Sequence, residues 1–237
     1  MKKDYKQIDD ILISLERYPK DVLKLLVKNP ETIDFVSEYL KHANDEAASG
    51  EITEEEMSQV IPLFLQWDKR WGYVKYGSNI VAIAGCGPTC MSMVYTGLTE
   101  KSDMSPAQMA NFCMENDYYT DDSGTSWSFM KNGAQKLGLN VEQVPLSENE
   151  VKEKLKAGES AKVGQPLICS MKPGDFTTSG HFIVLRGISE DGKILINDPN
   201  SIKNSEKEWD FDIVFKQIKA IWAYSYDKQE ETVLPDE

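Results

Sequence analysis

Cys86 stands between two glycines in Gly85-Cys86-Gly87-Pro88-Thr89-Cys90, at what reads as the first turn of a helix. Pro88 has the fixed φ that suits this position, and Gly87, Met91, Val94, Tyr95 and Leu98 fall on one stripe of the helical pattern that continues to Leu98. Backbone N–H groups and the positive end of the helix dipole favour thiolate over thiol at such a place. The two glycines remove side chains that would crowd an approaching carbonyl. With a base nearby, such a cysteine is a nucleophile; without one, it reads as a small buried apolar residue.

The choice of base is narrow, because the chain holds two histidines. His42, in Lys41-His42-Ala43-Asn44-Asp45, closes an amino-terminal helix and reads as a solvated or C-capping residue. His181 opens Gly180-His181-Phe182-Ile183-Val184-Leu185-Arg186-Gly187-Ile188, a run apolar on both faces and long enough for one central strand. Asp191-Gly192 then makes a turn, Lys193 to Asn197 returns as a second strand, and Asp198-Pro199 follows directly. With residues 189–192 as a four-residue loop, Asp198 falls opposite Ile183, diagonal to His181 on one sheet face and about 7–8 Å away between backbones. Singly, His181 reads as a core histidine and Asp198 as a turn residue. Together with Cys86 they make the nucleophile, base and orienting group of a thiol acyl-transfer site.

On four segments, Gln66-Trp67-Asp68-Lys69-Arg70-Trp71, Gly85 to Cys90, Gly180 to Leu185 and Ile194 to Ser201, the sequence resembles the papain-like cysteine peptidases of the bacteriocin-processing type. These are the double-glycine leader peptidases, family thirty-nine of the cysteine peptidases, here in a stand-alone bacterial form without a transporter domain. The resemblance runs from about Ile61 to Tyr226. It implies an α+β, papain-like fold in which a helical lobe carrying the nucleophile helix faces an antiparallel sheet. It implies Cys86 as nucleophile, His181 as general base and Asp198 as the group that orients the imidazole. A glutamine side chain in the oxyanion hole is implied as well. In the leader peptidases that glutamine lies a few residues before the cysteine, whereas Gln66, the nearest one upstream here, lies twenty before Cys86. Gln66 is therefore either the oxyanion donor or a loop anchor.

The activity expected is that of a cysteine peptidase or related amide hydrolase working through a thioester on a peptide or protein substrate. Passing the acyl group to an amine on the same site, or a catalytically idle peptide-binding module, are the alternatives. Leader-peptide processing does not carry over from members fused to a transporter.

Composition limits the partners. A net charge of −13 over 237 residues argues against binding nucleic acid or anionic membranes by bulk electrostatics. No apolar run approaches the ~20 residues of a membrane span. Met1-Lys2-Lys3 leads into no apolar stretch, so the chain as written carries no signal peptide. That places it in the cytoplasm if complete, and outside the cell or on its surface if a leader has been removed. Cys86, Cys90, Cys113 and Cys169 sit in helical or strand-like apolar settings that favour free thiols over disulfides. A zinc site from Cys86, Cys90 and His181 has too few ligands in recognised spacing, and nothing implies a cofactor.

Residues 1–58 read as a helical extension ending in a linker at Asn44 to Glu56, residues 59–226 as the catalytic domain, and residues 227–237 as an acidic, disordered tail. In the extension, Ile8, Ile11, Leu12 and Leu15 form one stripe and Val22, Leu23, Leu26 and Val27 a second, while Asn29-Pro30 caps a third helix. Later elements are an entry strand at Ile61 to Leu65, helices at Ser105 to Asn116, Ser126 to Leu137 and Ser147 to Lys156, the last with Ser147 and Glu150 spaced as a capping box, and strands at Pro166 to Met171 and Ile221 to Tyr226. Pro173 to Gly180 is a loop running into His181 and so borders the cleft. Trp67 and Trp71 either line a substrate groove or pack the entrance loop on the core.

Overall fold

The computed structural model describes residues 2–43, 50–121, 124–156 and 164–227. Its first half runs α1 (Lys2–Ile13), α2 (Lys20–Lys28), α3 (Ile33–His42), α4 (Glu54–Met57), β1 (Lys75–Tyr76), β2 (Asn79–Ile80), α5 (Val81–Ala84), α6 (Cys86–Thr99) and α7 (Pro106–Glu115). There follow β3 (Tyr119–Thr120), β4 (Gly124–Thr125), a π turn at Phe129–Gly133 leading into α8 (Ala134–Lys136), β5 (Asn140–Val144) and α9 (Glu148–Leu155). The chain ends in β6 (Leu167–Met171), β7 (His181–Ile188), β8 (Ile194–Asn197), α10 (Ile202–Glu206), α11 (Phe211–Phe215) and β9 (Ile218–Ser225).

The fold is α+β. Five strands form an antiparallel sheet in the order β5-β9-β6-β7-β8. β7 is covered on both faces, which is why its sequence is apolar throughout instead of alternating. Phe182 and Val184 join the core that α6 and α7 build with Met91, Val94 and Met109, while Ile183 and Leu185 pack on the other face with Val151 of α9 and Val214 of α11. α6 is buried along most of its length. A small third core joins Ile11, Val22, Leu25, Phe35 and Val36 of the first three helices to Tyr73 and Ala82.

The β7–β8 hairpin contains a register correction. Ile188 pairs with Ile194, so the loop spans residues 189–193, one longer than the four-residue loop expected. An extra residue in the loop alone would turn every later side chain of β8 to the opposite face. A bulge at Arg186 absorbs it, and Leu185 pairs with Ile196 and Val184 with Asn197. Asp198 thus follows the residue opposite Val184, at the level the sequence pattern placed it.

Other expectations change. Of the first expected stripe, Ile11 is buried while Ile8, Leu12 and Leu15 are exposed, and in α2 the buried pair is Val22 and Leu25 while Val27 faces solvent. Ile61 to Leu65 is irregular backbone, not a strand; its carbonyls at Ile61 and Pro62 accept from the Asn197 side chain at 3.1 and 3.0 Å instead of from a ladder. Ser147 makes no side-chain cap, whereas Thr53 and Glu56, inside the stretch read as linker, form a full capping box. β5, an edge strand with a largely exposed, polar pattern, gave no apolar signal. Asn29 does cap the turn that begins at Pro30, accepting from Glu31 N–H. Residues 44–49 of the expected linker and residues 228–237 of the expected tail lie outside the described residues. Among the described residues no helix is long and apolar enough to cross a membrane.

Candidate active site

Cys86 is the first residue of α6, with Gly85 at the N-cap and no side chain capping the helix start. The helix therefore begins at the cysteine itself. Gly85 and Gly87 have a packing reason as well as the one expected. A Cβ on Gly87 would lie 2.7 Å from Thr125 Oγ1, and one on Gly85 would lie 2.5 Å from the Val81 carbonyl oxygen. Close packing of α6 on β4 and α5 leaves no space for a side chain at either position.

His181 opens β7 and is buried, at 9% exposure. Its Nε2 lies 2.7 Å from Oδ1 of the fully buried Asp198. This bond fixes the ring and leaves Nδ1 as the nitrogen for exchange with a thiol. Burial resists charge on the imidazole, yet the Asp198 carboxylate outweighs it, and the neighbouring Cys86 acts in the same direction, so the pKa of His181 is raised above its ordinary value.

Asp198 is held from several directions. Its Oδ1 also accepts from Asn200 N–H at 2.9 Å, its Oδ2 from Asn204 Nδ2 at 2.8 Å, and its own N–H donates to Ser205 Oγ at 2.8 Å. Sequence reasoning missed Asn200, Asn204 and Ser205. The Asn200 contact is an Asx turn, which Asp198-Pro199-Asn200 could have signalled.

Gln66 reaches the same place despite its distance in sequence. It is buried at 4% exposure, its backbone N–H donates to Pro199 O at 2.7 Å, and its Nε2 donates to Ala82 O at 2.8 Å. Both readings of this residue thus have a physical basis: one amide hydrogen anchors the turn before α6, and the side chain lines the cleft that holds Cys86. Trp71 is fully buried against Phe64 with its indole N–H on Leu65 O, a packing role, while Trp67 donates to Asn200 O at 3.0 Å. His42 stacks on Tyr73 and takes no part in the cleft.

The cleft has a volume of about 500 Å³. Cys86, His181, Gln66 and Asn200 line it, and the Gly174 to Gly180 loop forms one border, as its position before His181 required. Another part of the lining is unexpected, for Asp21, Lys24, Leu25 and Lys28 of α2 build it, and Lys28 Nζ donates to Thr178 Oγ1 of that loop at 3.4 Å. A larger cavity of about 690 Å³, beside Arg186 and Leu155, contains none of the four candidate residues and is lined by no cysteine or histidine. The remaining thiols are buried and free, and burial drives the pKa values of Cys90, Cys113 and Cys169 upward. Cys86 alone among the four is partly exposed.

A family model described as the Peptidase_C39 like family matches residues 58–230, well over half of the chain. No curated protein matches it.

Proposed function

The chain belongs to the Peptidase_C39 like family, and we propose that Cys86, His181 and Asp198 act in it as nucleophile, general base and orienting acid of a peptide-bond hydrolase. Membership supports a cysteine peptidase-like function. The observation that carries the finer reading is the 2.7 Å His181–Asp198 hydrogen bond in the cleft that Cys86 lines.

In this reading the Cys86 proton passes to Nδ1 of His181, and sulfur attacks the carbonyl carbon of the scissile amide. The carbonyl oxygen takes the negative charge. The N–H of Cys86 and the remaining Nε2 hydrogen of Gln66 are the donors that meet it. Collapse of the intermediate breaks the C–N bond, and His181 gives its proton to the leaving amine. Water then attacks the thioester as His181 accepts its proton; the acid departs and the thiol is restored. Asp198 keeps the ring in position throughout and stabilises its charged form without taking the proton.

The test is a cleavage profile on a proteome-derived peptide library with wild-type protein and Cys86→Ala. The reading expects discrete cleavage by the wild type and none by the variant. Cleavage retained in Cys86→Ala contradicts it. Added amines that intercept the product as new amides would move the reading to acyl transfer.

A further inference from the structure

The turn between α2 and α3 touches the loop that carries Asp198. Asn29 Nδ2 donates to Asn200 O. Two residues on, the Glu31 carboxylate accepts Ile202 N–H on Oε2 at 3.1 Å and Lys203 N–H on Oε1 at 2.9 Å. The two residues are themselves tied, since Glu31 N–H donates to Asn29 Oδ1 at 3.1 Å and Thr32 Oγ1 donates to Asn29 O at 2.7 Å. From the other flank Trp67 Nε1 donates to the same Asn200 carbonyl. Asn200 is therefore held at both ends: its carbonyl by Asn29 and Trp67, its N–H by Asp198 Oδ1, the oxygen that faces His181 Nε2.

Asn29 and Glu31 lie outside the residues matched by the family model. These bonds range from part-buried to exposed, so the clamp acts through their number and direction: a rotation of the 198–203 backbone breaks several of them at once. We propose that Asn29 and Glu31 are positioning residues: the amino-terminal turn clamps residues 198–203 so that Asp198 presents Oδ1 to His181. The amino-terminal helices are then a working part of the catalytic unit, contributing the clamp as well as the α2 wall of the cleft. The clamp rests on the reading of Asp198 as the orienting acid.

The proposal has a readout that needs no substrate. The groups facing the His181 ring are Asp198 and Cys86; Asp21, Lys24, Lys28 and Asp175 line the cleft beyond them, and Glu31 takes the backbone at Lys203. With two histidines in the chain, the ring protons of His181 can be followed by NMR against pH and separated from those of His42 through His42→Gln. Asp198→Asn, which removes the charge, should lower the His181 titration midpoint by about 1–3 pH units. Glu31→Ala and Asn29→Ala should each lower it by about 0.5 unit or more as Asp198 loosens. Glu31→Gln, which keeps one acceptor oxygen, should fall between Glu31→Ala and wild type. Folded Glu31→Ala and Asn29→Ala proteins with the wild-type midpoint overturn the clamp. If Glu31→Ala does not fold, Glu31→Gln and Asn29→Ala carry the same test. If Asp198→Asn itself leaves the midpoint unmoved, the orienting role of Asp198 fails and the clamp with it. If the clamp variants move the midpoint but no peptide is cleaved by any form, the clamp stands and the peptidase reading fails.

Discussion

His181 Nε2 and Asp198 Oδ1 are 2.7 Å apart in a setting where both side chains are almost wholly buried. Two elements had to converge for this: the first residue of β7 and the residue just past the end of β8, brought level by the bulge at Arg186. The pair has a measurable consequence for stability. Because the folded ring holds its proton more tightly than the unfolded one, the interaction stabilises the fold fully below the ordinary imidazole value of 6.5 and loses that contribution as pH rises through the raised folded value. The gap in Tm between wild type and Asp198→Asn should therefore be widest near pH 6 and shrink toward alkaline pH. A gap that stays constant or widens with pH contradicts the assignment.

Asp198→Asn should also lower kcat less than Cys86→Ala does, since an asparagine oxygen still accepts from the ring N–H. The same change costs stability for a separate reason. One side of the new amide must face either Asn204 Nδ2 or the His181 and Asn200 N–H groups as a second donor. That mismatch is worth about 1–3 kcal/mol, to be read from denaturant unfolding. Activity equal to wild type would remove Asp198 from the mechanism.

Gln66→Ala should show two effects at once. Loss of the bond to Ala82 O should cost about 1 kcal/mol of stability, and loss of the second amide hydrogen should lower kcat by about 10²-fold with little change in KM. A variant that is less stable yet keeps kcat leaves the oxyanion to backbone N–H groups alone.

Gly87→Ala tests the packing at the start of α6. The added methyl would stand 2.7–2.8 Å from three atoms of Thr125, whose hydroxyl is bonded to Tyr76, so β4 must shift. Overpacking of this kind costs about 1–3 kcal/mol. Wild-type thermal stability would show that the helix start has room the geometry denies.

The helix that begins at Cys86, the β7–β8 hairpin and the acid after it were legible in the sequence because each rests on local signals: a proline at a helix start, an unbroken apolar run, an Asp-Gly turn. The contribution of α2 and of the Asn29–Glu31 turn was not, because contacts between residues 29–31 and 200–203 leave no local pattern. Register was legible only through two errors of opposite effect, a longer loop and an unforeseen bulge. Gln66 was singled out by residue type alone; the chain from Trp67 to Gly85 folds back so that α5 meets Gln66 through Ala82. The stripes on α1 and α2 misled because exposed apolar residues share the helical period with buried ones.

Whether Cys86 is the nucleophile served by His181 can be read from a peptide carrying a thiol-reactive electrophile, with the adduct located by mass mapping. One adduct is expected, on Cys86, formed rapidly near neutral pH, slowed strongly in His181→Ala, and absent from Cys90, Cys113 and Cys169 in the folded protein. First labelling of a buried thiol, or Cys86 labelling as fast in His181→Ala as in wild type, would contradict it.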